Sequence, residues 1–282
     1  MIYYKNVSSL VMTNIKYPPV IKVCLFCKST NNSFKSKEHP FPESLGNTRI
    51  VLPPGVVCDD CNNYFSTKLE NDFIHTYPMS FLRCFLPITT KKERPPTMSL
   101  PKGSIHRIEP NRNSRLELPT IRVQQTERIA TEFRPDASEF SLLPIQLPRE
   151  NIQQSSRVLA KIALELLCLY DYQRAFSPAF DAVRNFAKEA KRGQYIPYAW
   201  NIHRGQSFVH RLIEIRIGLE TTWNVYAFFT LPGVQYLYPL SPPNLTPSFS
   251  FLAEQMNLRI ETQRERLETP YLTINIQRVK IT

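Results

Sequence analysis

The chain has 282 residues, of which 42% are hydrophobic, enough to fill the core of one large domain or two modest ones. This composition excludes an intrinsically disordered protein. A formal net charge of +11 favours a polyanionic partner, either nucleic acid or an acidic membrane surface, although a solvated basic surface gives the same count.

We predict the cellular compartment from the length of the apolar runs and from the spacing of the cysteines. No stretch approaches the ~18 to 20 consecutive apolar residues of a transmembrane helix, and residues 1–17 lack the apolar core and cleavage site of a signal peptide. Four of the six cysteines form two CxxC pairs, which fits a metal in a reducing compartment better than a disulfide framework. We therefore expect a cytoplasmic protein without a membrane partner.

Along the first third of the chain, residues 1–22 contain short apolar stretches without a decisive period. Residues 23–83 hold four of the six cysteines and end in a helical pattern. Residues 89–103 are polar and rich in proline, which is typical of an exposed connection. We place a boundary there and predict two domains, residues 1–95 and residues 96–282.

The second domain begins with extended segments at residues 119–133 and 141–147, interrupted by proline. Apolar residues at helical spacing predict a helix over residues 155–170, and Ser177 followed by Pro178 predicts the start of another that ends at Gly193. The last ninety residues alternate between apolar and polar side chains, as strands do. These patterns predict an α+β fold with helices packed on a mainly antiparallel sheet. The role of this domain, whether recognition or regulation, stays open.

The strongest chemical signal is the spacing of the cysteines. Cys24 and Cys27 form one CxxC knuckle, and Cys58 and Cys61 form a second one beyond residues 28–57. Two such knuckles can close a tetrahedral Zn(II) site, and four thiolates leave no open coordination position, which makes the zinc structural. The alternatives are unrelated buried cysteines or a redox pair, but no strand-to-helix context of a thioredoxin motif lies nearby.

The residues around the knuckles form an ordered set of motifs. Glu38 and His39 lie between the two knuckles, Asn62 directly follows the second, and Leu69-Glu70 comes later. Over residues 23–74 this order resembles the four-cysteine branch of the HNH endonuclease family. The resemblance implies a ββα-metal module, in which a β-hairpin is followed by a helix that begins around Cys61. It also implies a metal-dependent endonuclease that hydrolyses phosphodiester bonds, with DNA as the expected nucleic-acid partner.

The resemblance assigns roles to three residues. His39 takes the position of the general base that deprotonates the attacking water, and Glu38 and Asn62 take the positions that bind a catalytic Mg(II) or Mn(II). A carboxylate and an amide oxygen are hard ligands suited to such an ion. An imidazole with an unperturbed pKa of about 6.5 accepts a proton near neutral pH.

Two positions depart from the family pattern. The asparagine that braces the histidine loop in the family falls here at Pro53, which leaves Asn47 as the candidate brace. Glu70 lies about 12 Å beyond Asn62 along a helix rising about 1.5 Å per residue. We therefore expect Glu70 to support the site from a distance or to lie at the helix surface.

Two other classes of function remain open. The first is a non-catalytic zinc-binding module that grips nucleic acid or a protein partner. The second is a scaffold or membrane-surface protein that uses its basic charge. A divalent-dependent cleavage assay separates the nuclease from both, whereas oligomeric state has no signal in the sequence.

Overall fold

The computed structural model describes the backbone of twelve ranges, and elements are assigned only within them: residues 2–7, 22–76, 78–85, 96–100, 103–108, 120–125, 128–133, 140–146, 152–203, 208–217, 222–261 and 271–277.

The helices fall into two groups along the chain. The first group is α1 (Asp59–Phe65), α2 (Asn71–His75) and α3 (Met79–Phe85). The second group is α4 (Ile152–Tyr170), α5 (Tyr172–Ala175), α6 (Asp181–Glu189) and α7 (Pro247–Gln255). A π-helical turn at Ser66–Glu70 joins α1 to α2, and short 3-10 turns occupy Glu43–Leu45 and Pro178–Phe180.

Strands make up most of the remaining elements. They are β1 (Ile2–Val7), β2 (Thr97–Leu100), β3 (Gly103–Ile108), β4 (Thr120–Gln125), β5 (Arg128–Phe133), β6 (Phe140–Gln146), β7 (Tyr198–Ile202), β8 (His210–Ile217), β9 (Asn224–Leu231), β10 (Val234–Ser241), β11 (Arg259–Glu261) and β12 (Tyr271–Gln277). In the described residues they form a six-stranded sheet in the order β1-β8-β9-β10-β7-β11, a four-stranded sheet β2-β3-β4-β5, and the pair β12-β6. All of these neighbours pair antiparallel.

The chain forms two compact units, each discontinuous in sequence. The first contains Met1–Glu43, Asn47–Asn71 and Ile152–Glu265, and the second contains Ser44–Gly46, Asp72–Asn151 and Arg266–Thr282. The first unit therefore joins the cysteine-rich segment to the six-stranded sheet and to α4. The boundary near residue 95 stays a prediction about independently folding domains.

Helix α4 lies deep in the first unit because it is apolar on nearly every side. Its residues from Ser155 to Leu169 are buried except Arg157, and it packs on α6 and on β8, β9 and β10. A second apolar cluster joins the sheet to α7, and all of its fully buried members lie within residues 199–258. Burial of this kind stabilises the sheet.

The predicted α+β fold class is confirmed, since the described residues combine helices with antiparallel sheets. Ser177 caps the turn opened by Pro178, as predicted, by accepting a hydrogen bond from the N–H of Ala179. The helix ends at Glu189 instead of Gly193, because the backbone leaves the helical region at Ala190, and Gly193 lies in the following turn at φ +79°. Residues 97–100, predicted within an exposed connection, form β2 and pair with β3.

The cysteine-rich segment differs in detail from the implied ββα arrangement. Its helix begins at Asp59, close to the predicted start at Cys61. Between residues 22 and 58 no strand is assigned, although the N–H of Leu52 donates to the carbonyl of Glu38 over 2.9 Å, as a hairpin pair would. Among the helices described here, none combines the length and the apolar character needed to cross a bilayer.

Candidate functional site

The four cysteines of the two knuckles converge on one point. Their Sγ atoms all lie within 4.8 Å of one another, and those of Cys27 and Cys58 are 3.7 Å apart. Around a tetrahedral zinc with Zn–S bonds of about 2.3 Å, sulfurs are separated by about 3.8 Å. The cluster is therefore positioned to bind a metal ion such as zinc, as the CxxC spacing predicted.

The protonation of the sulfurs also fits a bound cation. Hydrogen bonding with Cys61 lowers the pKa of Cys24 to about 4, while the same contact raises the pKa of Cys61 above the ordinary range. Burial raises the pKa of Cys27 to about 11. Sulfurs this close repel one another as thiolates, and a divalent ion removes that conflict by binding all four.

Local turns place the knuckles. The N–H of Lys28 donates to the carbonyl of Cys24 over 2.9 Å, and Lys28 takes the left-handed conformation at φ 59°, which closes the first knuckle. Cys58 is the N-cap of α1, so the second knuckle runs directly into a helix. Asn32 donates to the Sγ of Cys58 over 3.3 Å and to Asp60 over 3.2 Å, which ties the first loop to that helix.

Asn47 braces the loop that carries Glu38 and His39. Its buried Nδ2 donates to the carbonyls of Phe41 and Ile50, both over 2.9 Å, and its Oδ1 accepts from the N–H of Ile50 over 2.9 Å. The ring of Phe41 in turn packs on Phe229 of β9, with centroids 5.9 Å apart. Asn47 therefore makes the kind of contacts expected of the family's brace, with Pro53 in the position where the family has asparagine.

His39 is partly buried and has one side-chain neighbour of opposite charge. Its Nε2 lies 3.2 Å from a carboxylate oxygen of Glu43, and its buried Nδ1 has no hydrogen-bond partner within the described residues. Burial lowers the pKa of His39, and Glu43 partly opposes this shift. The ring is therefore largely neutral near pH 7, which is the form that accepts a proton.

Glu38 lies beside a charged group that the sequence did not point to. Its side chain is buried, and its Oε1 is 2.6 Å from the Nζ of Lys161 on α4. The same ammonium lies 2.7 Å from Glu70 Oε1 and 3.2 Å from Glu165 Oε2, and it donates to the backbone carbonyl of His39 over 2.9 Å. We call Glu38, Glu70, Lys161 and Glu165 the carboxylate cluster.

Glu70 reaches this cluster because the helix is not regular. The π-helical turn at Ser66–Glu70 places an extra residue in the turn and rotates the side chains that follow it relative to a continuous α-helix. Glu38 and Glu70 both contact the same ammonium. Of the two positions expected for Glu70, support of the site from a distance agrees with this contact, and its role there stays a prediction.

Asn62 lies on α1 beside the segment that carries Glu38. Its Nδ2 donates to the carbonyl of Lys37 over 3.1 Å, so the amide nitrogen is used and the oxygen is the atom suited to a metal. Asn62 therefore contacts the residue before Glu38. Glu38 and the backbone carbonyl of His39 both contact Lys161.

Two carboxylate oxygens of the carboxylate cluster are left without a partner in the part of the chain that the structure describes. Glu38 Oε2 and Glu165 Oε1 are buried and have no hydrogen-bond partner within the described residues. Burial raises the pKa of Glu38, and Lys161 opposes that shift. Unpartnered buried carboxylate oxygens are costly unless a cation joins them, and Mg(II) and Mn(II) are the cations that such oxygens prefer.

Lys161 and Glu165 were missed because they lie about 120 residues beyond the motifs. A signal did exist: both are charged, four residues apart, inside the otherwise apolar run of α4. Charged residues at that spacing share a helix face. Nothing in the spacing of these residues indicates which segment that helix face contacts.

Comparison with known proteins agrees with the cysteine geometry. Residues 24–78 match the sequence model of the HNH endonuclease family, described simply as HNH endonuclease. The match spans both knuckles, the Glu38-His39 pair, Asn62 and Glu70, so the predicted resemblance is confirmed for this segment. Searches of curated proteins and of solved structures each found no match. The segment is therefore similar in sequence to HNH endonucleases, which suggests a nuclease that binds nucleic acid.

Proposed function

We propose that the protein is a metal-dependent endonuclease that hydrolyses phosphodiester bonds of DNA. The observation that carries this proposal is the cysteine cluster, positioned for a metal, within a segment that matches the HNH endonuclease family. Structural zinc in that cluster would hold α1 against the loop of Glu38 and His39. In this proposal residues 96–282 serve recognition or regulation, apart from the α4 residues that reach the site.

In the proposed reaction His39 is the general base. If its Nε2 carries the proton shared with Glu43, Nδ1 is the unprotonated nitrogen that takes a proton from water. Glu38 and the amide oxygen of Asn62 would hold Mg(II) or Mn(II), and the ion would supply countercharge to the scissile phosphate. Asn47 keeps the loop in place during the reaction through its buried hydrogen bonds.

The test is cleavage of plasmid and linear DNA by the full chain with Mg(II) or Mn(II), compared with a His39→Ala variant. We expect the variant to keep its zinc content and to lose about 10²- to 10⁴-fold in rate, the usual contribution of a general base. The matched control is His75→Ala, an exposed histidine on α2, which should cut at the wild-type rate. Equal rates for the His39 variant and the wild type would refute this mechanism.

A second candidate function rests on Lys161. Because its ammonium already pairs with Glu38, the segment can also be interpreted as a zinc-binding module that grips nucleic acid or a protein without cutting. Such a module would bind DNA in a salt-dependent way and leave plasmid intact at every Mg(II) or Mn(II) concentration. The same assay, with a binding measurement at two salt concentrations, therefore separates the two functions.

A further inference from the structure

Lys161 is buried in a place where a lysine is costly. Its side chain is 1% exposed, on a helix whose other buried residues are almost all apolar. An unpaired buried ammonium costs several kcal/mol, and even well-paired buried ions stabilise a fold little more than apolar residues of the same volume. Stability alone is therefore a weak reason for a lysine at this position.

The contacts of Lys161 converge on the proposed nuclease site. Its ammonium pairs with three carboxyl groups and donates to the backbone carbonyl of His39. Two of these four acceptors belong to adjacent residues, Glu38 and His39. One side chain from α4 thus holds both the proposed ion ligand and the backbone of the proposed base.

The geometry of Glu38 shows what this contact does. Lys161 engages Oε1, while Oε2 is buried and has no hydrogen-bond partner within the described residues. The carboxylate is therefore held by one oxygen and keeps the other for a cation.

We infer that Lys161 is a positioning residue of the nuclease site, which orients Glu38 for the divalent ion and anchors the backbone of His39. This inference rests on the proposed function and adds α4 to the site. Lys161 has a second, opposing effect: as a positive charge beside the ion, it weakens binding of that ion. Its loss should therefore tighten ion binding and slow the reaction at the same time.

The test uses Lys161→Met in the zinc-loaded full chain, with Lys191→Met, an exposed lysine, as the matched control. Mn(II) affinity is measured by titration calorimetry and electron paramagnetic resonance, without substrate. We expect Mn(II) to bind at least about tenfold more tightly to the Lys161 variant, and kcat to fall about 100-fold because Glu38 and His39 lose their anchor. The Lys191 variant should match the wild type in both measurements.

A purely structural lysine would give another pattern. It would lower kcat through a smaller folded fraction and would leave the Mn(II) affinity of the folded protein unchanged. Should Lys161→Met fail to fold, the double variant Lys161→Met, Glu165→Met removes one charge of each sign and conserves volume. It should retain zinc and still show the loss in kcat, because Glu38 remains without its anchor.

The outcomes separate this inference from the proposed function. If the wild type cuts no DNA but Lys161→Met tightens Mn(II) binding, and Glu38→Gln weakens it, the nuclease proposal fails and the role of Lys161 at the ion site stands. If Mn(II) affinity is unchanged or weaker in folded Lys161→Met, the inference is overturned whether or not the wild type cuts. Wild-type kcat in the folded double variant would overturn it as well.

Discussion

Two stretches of the same compact unit are held together by different means. Residues 22–71 have short helices and loops, and their contacts centre on four sulfurs and on the buried side chain of Asn47. Residues 152–261 have long elements and an apolar cluster contained within residues 199–258. The first stretch also buries apolar side chains such as Phe41 and Phe65, but its short elements are tied together by the sulfurs and by individual hydrogen bonds as well, whereas the sheet depends mainly on burial. The proposed catalytic residues lie on the first stretch.

The largest expected effect comes from removing a ligand of the cysteine cluster. Structural zinc sites contribute about 10 to 16 kcal/mol of apparent binding free energy, so Cys61→Ser should abolish stoichiometric zinc and unfold residues 22–71. Amides of β8, β9 and β10 should stay protected, because their core is made by their own side chains. Metal analysis and hydrogen exchange with mass spectrometry measure both effects.

The control for this prediction is Cys168→Ala, a buried cysteine on α4 outside the cluster. It should keep its zinc and lose about 1 to 2 kcal/mol, the cost of a small cavity. If exchange in Cys61→Ser rises equally in the sheet and in the cysteine-rich segment, the two stretches unfold as one and the contrast between them is lost.

The second prediction concerns the hydrogen bonds of the same stretch. Asn47→Ala leaves the carbonyls of Phe41 and Ile50 and the N–H of Ile50 without their partner, all beside a buried side chain. Unsatisfied buried groups of this kind cost about 1 to 3 kcal/mol each, and partial access of water reduces the sum. We expect a loss of about 3 kcal/mol in urea unfolding, with zinc retained.

Two variants sharpen the second prediction. Asn63→Ala removes an exposed amide on α1 and should change stability by less than about 0.5 kcal/mol. Asn47→Asp keeps the oxygen that accepts from Ile50 but places a second oxygen against the carbonyls of Phe41 and Ile50, so it should lose at least as much stability as Asn47→Ala. A stability of Asn47→Ala equal to that of Asn63→Ala would show that the loop needs no brace.

Local pattern was enough to predict much of this organisation. CxxC spacing predicted the sulfur cluster, helical periodicity predicted α4, and alternation together with β-prone runs predicted β8, β9 and β10 of the six-stranded sheet. The features that local pattern could not predict depend on contacts between residues that are distant in the sequence. Lys161 meets Glu38 across more than 120 residues, and Glu70 reaches the same ammonium only through a π-helical turn. The spacing of residues along the sequence shows neither where a π-helical turn falls nor which segment a helix face contacts.

The smallest expected effect lies in the sheet stretch, at His210. Its ring Nδ1 is 3.0 Å from the hydroxyl of Tyr170, and burial lowers its pKa below the ordinary value of about 6.5. Above pH 6.5 the folded and unfolded forms are both neutral, so the histidine contributes its full share of stability. As pH falls through 6.5, the unfolded chain takes up the proton first, and that share is lost.

We therefore expect the wild type to lose more stability between pH 8 and pH 5.5 than a His210→Gln variant, by an amount smaller than the cost of Asn47→Ala. Urea unfolding at both pH values measures this difference, and comparing the two proteins cancels the acid sensitivity that their common cysteine cluster contributes. His75→Gln, on the exposed side of α2, should behave as the wild type. If wild type and His210→Gln showed the same pH dependence, the sheet stretch would tolerate a charged His210. Burial would then constrain residues 152–261 less than the cysteine cluster constrains residues 22–71.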